Sequence, residues 1–150
     1  MKKYILGAIL IICFALFLQA ADKRTQTFKV KEIISVYDGD TFRANLNCGS
    51  SFFCDNMSIR VNGVDTPEKR GGTGTQREKY LAKEAQKITE AFLMRGMETG
   101  SVLATNCFKG KYFRLICNVR TKEGFLTDHL IQSGLGVPYY GGTKTKDWSK

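Results

Sequence analysis

The chain has a single histidine and two prolines among 150 residues, and none of its five cysteines stands in a C-x-x-C pair. Structural zinc is held by clustered cysteine and histidine with short spacings, so with His129 standing apart zinc is only a rival reading of the cysteines. The longest apolar run, Ile5 to Leu18, falls short of the roughly 20 residues that span a bilayer comfortably. There is no internal repeat, and apart from the loop Gly71-Gly72-Thr73-Gly74 no low-complexity linker. Acidic residues are the scarcer sign of charge, 14 against 23 basic, which leaves a formal charge of +9.

What is present begins with an address. Lys2 and Lys3, the apolar run and then Gln19-Ala20-Ala21 before Asp22-Lys23-Arg24 have the three-part layout of a secretory signal peptide. Residues 1–21 are therefore expected to be a signal peptide cut near Ala20 or Ala21. Leu18 is large for its place before that cut, so an uncleaved membrane anchor is the alternative. Cys13 has no small residue before it, which argues against a lipoprotein site. Residues 22–150 suit one domain and leave no room for a second. Of the +9, Lys2 and Lys3 carry two, and the +7 that remains attracts an acidic partner: nucleic acid or an anionic membrane surface.

Export also fits the cysteines. Beyond Cys13 there are four, an even number for an oxidising compartment, outside the cell or in a periplasm. Four cysteines allow three pairings. Cys48 with Cys54 and Cys107 with Cys117 is preferred, because each pair would cross-link one local hairpin.

Alternating, β-branched stretches predict strands at Phe28–Val36, Thr41–Leu46 and Met57–Val61, broken by Asp38-Gly39-Asp40 and by a polar stretch from Asn47 to Asn56. Apolar residues at Tyr80, Leu81, Ala85, Ile88, Phe92 and Leu93 have helical spacing and predict a helix from Gln76 to Arg95, ended by Gly96 and Gly100. Ser101–Cys107 and Tyr112–Val119 read as a strand pair, and Leu126–Ser133 as a short helix closed by Gly134. This order predicts a mainly β, α+β fold, a five-stranded OB-fold Greek-key barrel with two to three helices.

Two acidic motifs carry chemistry. Asp38-Gly39-Asp40-Thr41 places carboxylates on a tight turn after a strand, and Val64-Asp65-Thr66-Pro67-Glu68 places two more after another. Calcium prefers oxygen ligands, so Asp40, Asp65 and a nearby backbone carbonyl are expected to form a partial cage with open positions for water and phosphate. Each motif alone is also what an ordinary turn or loop start looks like.

Tyr37-Asp38-Gly39-Asp40-Thr41-Phe42 and Ile59 to Glu68 resemble the signature segments of the staphylococcal nuclease family. The likeness continues through Tyr80 to Ala85, Gly110 to Leu115 and Leu130 to Leu135. It implies a calcium-dependent nuclease that hydrolyses phosphodiesters of DNA and RNA to 3′-phosphate products, with easier access for single strands. On this resemblance Asp40, Asp65 and the carbonyl of Thr66 are calcium ligands, supported by Asp38. Glu68 is the general base, and Arg60 and Arg114 hold the phosphate. Lys111, Tyr112, Tyr139 and Tyr140 contact substrate, and aromatic faces stack on any base. The chain departs from the family at Phe113, which stands where a glycine is usual. If that position needs a positive φ, a side chain there is strained and Arg114 is turned elsewhere. His129 has no visible partner and reads as structural or surface. A monomer is expected, with no stable membrane partner once the signal is removed.

The main competing reading is a noncatalytic OB-type module that binds nucleic acid. It can dispense with the carboxylates and base that this chain keeps. A basic protein anchored by an uncleaved N-terminus would leave both acidic motifs unexplained.

Overall fold

Side chains of β2 (Thr41–Asn47) alternate strictly: Phe42, Ala44 and Leu46 are buried, while Arg43 and Asn47 face solvent. That one-sided pattern repeats in β3 (Met57–Val61), through Ile59 and Val61, and in β6 (Leu115–Thr121), through Cys117 and Val119. Strands with one apolar face must close that face against something, and here they close on one another. The computed structural model describes residues 26–49 and 54–150. The expected signal peptide, 1–21, lies outside the described residues.

β1 (Gln26–Asp38) pairs antiparallel with β2 along most of its length and, at its start, with β5 (Leu103–Lys109). Three register shifts against β2, between Val30 and Asp38, bend this long strand so that it serves two neighbours. β2 pairs with β3 and β5 with β6, all antiparallel, and a parallel β3–β6 pairing closes the ring. The result is a closed five-stranded barrel of OB type, the architecture that the strand order predicts. Three short strands that the sequence does not announce complete it. β7 (Gly124–Phe125) pairs antiparallel with the end of β6, and β4 (Gly63–Asp65) pairs with β8 (Val137–Tyr139) as a separate ribbon.

Two helices cover the barrel. α1 (Gln76–Glu98) starts at Thr75, whose Oγ1 accepts from the Glu78 N–H, and buries Ala82, Ala85, Phe92 and Leu93. α2 (Leu126–Gln132) buries Leu126 and Leu130. Each fully buried Leu, Ile or Phe contributes roughly 1.5–3 kcal/mol, so this shared interior is the main source of stability. α1 runs through Gly96, where a Cβ would lie 2.5 Å from Thr121 and 2.6 Å from Val102. That glycine serves close packing rather than termination. The stop comes at Gly100 (φ 65°), where Gly100 N–H donates to Met97 O and Ser101 N–H to Gly96 O, a Schellman cap.

Both expected disulfides are present. Cys48–Cys54 closes the connection between β2 and β3, and Cys107–Cys117 joins β5 to β6 inside the core. His129 lies over Phe92, with ring centroids 4.8 Å apart, and its Nε2 is 3.2 Å from Glu123 O, a structural role. Among the described residues no helix is long and apolar enough to cross a membrane.

Candidate active site

The turn between β1 and β2 is held against α1. Thr89 Oγ1 donates to Gly39 O at 2.6 Å and Gln86 Nε2 to Val36 O at 2.7 Å. A Cβ on Gly39 would lie 2.7 Å from Ala85 and 2.9 Å from Thr66, so glycine is what lets the turn nest between helix and loop. Asp38 and Asp40 flank it, and both are buried.

β4 delivers Asp65 and Thr66 beside them. Arg60, on β3, bridges the two motifs: Nη1 donates to Asp40 Oδ1 at 2.6 Å, and Nη2 to Asp65 Oδ1 at 3.3 Å. Asp40 Oδ1 also accepts from Thr41 Oγ1, and Oδ2 from the Thr66 N–H at 3.2 Å. Thus Asp40, Asp65, Thr66 and Arg60 form one hydrogen-bonded group, with Asp38 behind it. Burial is the largest influence on both buried turn acids. It raises Asp40 against the pull of Arg60, and together with the Asp40 charge it pushes Asp38 up to about 7.

Glu68 stands at the rim, organised by a residue that sequence reasoning passes over. Glu78 Oε1 accepts from the Glu68 N–H, and Oε2 from the Thr73 N–H and hydroxyl. Burial alone would raise the Glu78 acid, but these donors bring it below the ordinary range. Lys144 is the other unforeseen member. Its Nζ pairs with Asp65 Oδ1 at 2.7 Å and with Glu68 Oε1. Desolvation would lower this ammonium, but the two carboxylates raise it above the usual lysine value.

Next to the acids opens a cavity of about 400 Å³, lined by Arg60, Lys111, Arg114, Tyr139 and Tyr140 together with Val61–Val64, Phe108, Ile116, Gly141 and Gly142. Arg60 lies 6.0 Å from the centre of the Tyr139 ring, and Tyr139 OH donates to Gly142 O. Tyr140 is largely exposed. Tyr112 does not join this lining; it projects into solvent beside Phe113. Both adopt φ 56°, so Phe113 does take the left-handed conformation. The side chain there does not turn Arg114 away, since Arg114 still lines the cavity with Arg60. Its Nε is buried and has no hydrogen-bond partner among the described residues.

For a divalent ion the donors are all oxygens, as calcium requires. Beside Asp40 and Asp65, the buried Asp38 Oδ1 and Thr66 Oγ1 have no hydrogen-bond partner among the described residues, so this oxygen-rich cluster fits such an ion chemically. Among the described residues, however, no three His, Cys, Asp or Glu side chains converge as a ready-made metal group. Arg60 and Lys144 already engage these acids. The chemistry on offer is thus anion binding by two arginines beside carboxylates able to take a hard cation or a proton. In comparison with known proteins, no family model and no curated protein matches the chain.

Proposed function

We propose that the chain is an exported, calcium-dependent nuclease of staphylococcal nuclease type, acting as a monomer outside the cell or in a periplasm. One observation carries the reading: Arg60 and Arg114 line the same cavity, Arg60 bound to two buried carboxylates and Arg114 with a buried, unpartnered Nε. Planar guanidinium forks suit a phosphodiester and the charge that grows on its oxygens in the transition state. Calcium, when held by Asp40, Asp65 and Thr66, supplies Lewis-acid polarisation of the phosphate.

The remaining steps belong to side chains. Glu68 takes a proton from water as its oxygen bonds to phosphorus. The bond from phosphorus to the 5′ oxygen breaks, the departing oxygen takes a proton from solvent water, and Glu68 returns its own proton to solvent, leaving a 3′-phosphate and a 5′-hydroxyl. Lys111, Tyr139 and Tyr140 position the strand, with Tyr112 at its outer edge. Exposed rings stack on bases of any identity, which favours single-stranded DNA and RNA.

Replacing Glu68 with Gln keeps the shape and removes the base. The expected result is a fall in the hydrolysis rate of about 10²–10⁴-fold, the usual contribution of general base catalysis, with binding of single-stranded DNA retained. Unchanged hydrolysis in Glu68→Gln would remove Glu68 from the reaction. A second reading, a noncatalytic nucleic-acid-binding module, is favoured by the internal pairing of Asp40, Asp65 and Glu68 with cations of the chain itself. It differs in predicting salt-sensitive binding with no hydrolysis at all.

A further inference from the structure

The two cations that neutralise the carboxylates are held very differently. Arg60 sits on a barrel strand, its side chain only 14% exposed, hydrogen-bonded to both aspartates. Lys144 reaches in from outside on a segment, 141–150, that forms neither helix nor strand, and its side chain is 37% exposed. That segment is fixed on both sides of it. Before it, Tyr139 OH donates to Gly142 O; after it, Trp148 is buried against the fold. A smaller cavity of about 190 Å³ is lined jointly by Asp65, Thr66, Glu68, Lys144 and Trp148. The anchors keep the ammonium at high local concentration beside the acids, so its binding is effectively intramolecular.

We infer that Lys144 is a tethered counter-cation that occupies the outer side of the carboxylate site and must be displaced before a divalent cation can bind there. The inference rests on the calcium reading above and goes beyond it. An ammonium 2.7 Å from Asp65 Oδ1 stands about where a calcium ion would, since calcium takes oxygens at about 2.3–2.6 Å. Two cations so close repel strongly, so occupancy by one excludes the other. Lys144 is the one that yields. An ammonium is well hydrated and rides on a flexible four-carbon stem, so it moves into water more readily than the strand-held Arg60. Moving Arg60 would strip hydrogen bonds from two buried acids at once. Lys144 thereby lowers the apparent affinity for the ion and keeps the acids neutralised until calcium is abundant.

The test is calorimetric titration of calcium into the folded chain and into Lys144→Gln and Lys144→Arg, at pH 7 and fixed ionic strength. Lys144→Gln is expected to bind calcium about tenfold or more tightly than the parent, the scale expected for removing one adjacent unit charge. Lys144→Arg, which keeps the charge, is expected to stay near the parent. Equal or weaker binding by Lys144→Gln would overturn the inference while leaving the calcium reading standing. No calcium binding by any of the three proteins would overturn the calcium reading, and the inference with it.

Discussion

At Asp38 the chain keeps an acid where water is scarce and a second carboxylate, Asp40, is adjacent. Burial first and that neighbour second push it up to about 7, against an ordinary aspartate value of about 3.9. Between those values the folded chain holds a proton that the unfolded chain has released. The stabilisation from this group is therefore complete below about pH 4 and is lost as pH rises through about 7. Asp38→Asn does not titrate. Its stability relative to the parent, measured by urea unfolding with a chelator present, should rise from pH 5 to about pH 7 and level off above it. A difference that stays flat over that range would mean that Asp38 is ionised in the folded chain throughout. Thr89 acts at the same scale by a different force: its hydroxyl holds Gly39 O in a buried setting, so the turn keeps its carboxylates placed without any charge from the helix.

Among the elements, the β5–β6 pair and the β2–β3 connection are each fixed by one disulfide, with cysteines 10 and 6 positions apart. Closing loops of these lengths contributes about 2–3 kcal/mol each on the chain-entropy model, slightly more for the longer. Cys107 and Cys117 are also buried in the core. Urea unfolding should therefore show a larger loss for the double variant Cys107→Ala/Cys117→Ala than for Cys48→Ala/Cys54→Ala. A larger loss in the second would contradict this placement. The barrel strands and both helices are legible in sequence because burial of one face imposes a period, two residues for β2 and close to four for α1. What escapes is structure without a period. β4 and β8 are three residues each and exist only because they meet in space. β6 begins at Leu115 rather than Tyr112 because two successive left-handed residues, Tyr112 and Phe113, make a turn that no strand can contain. α1 passes Gly96 because Thr121 and Val102 demand a glycine there, and only the folded barrel brings them close.

For the whole molecule, the motifs on β1–β2 and β4 announce Asp40, Asp65 and Glu68, since tight turns after strands are where carboxylates are held rigidly. The fold brings Arg60 to them through the β2–β3 pairing, which sets Thr41 opposite Arg60. Lys144 has no such local signal. It lies 76 positions from Glu68 in a polar stretch that reads as a solvated tail, and only three-dimensional closure gives it a role. Thr89 did leave a trace, as a polar residue on an otherwise apolar helical stripe with Ala85, Phe92 and Leu93. The net charge of +9, or +7 without Lys2 and Lys3, attracts polyanions and makes any such binding weaken with salt, whether or not the site cuts. Cleavage, not binding, is therefore what separates a nuclease from a binding module. The direct measurement is incubation of 5′-labelled single-stranded DNA and RNA with the disulfide-bonded protein, with calcium and with excess chelator, followed by analysis of the ends formed. A nuclease of this kind is expected to show calcium-dependent cleavage leaving 3′-phosphates, abolished by the chelator. Salt-sensitive binding to the same strands without any cleavage, in protein shown to be folded and loaded with calcium, would contradict it.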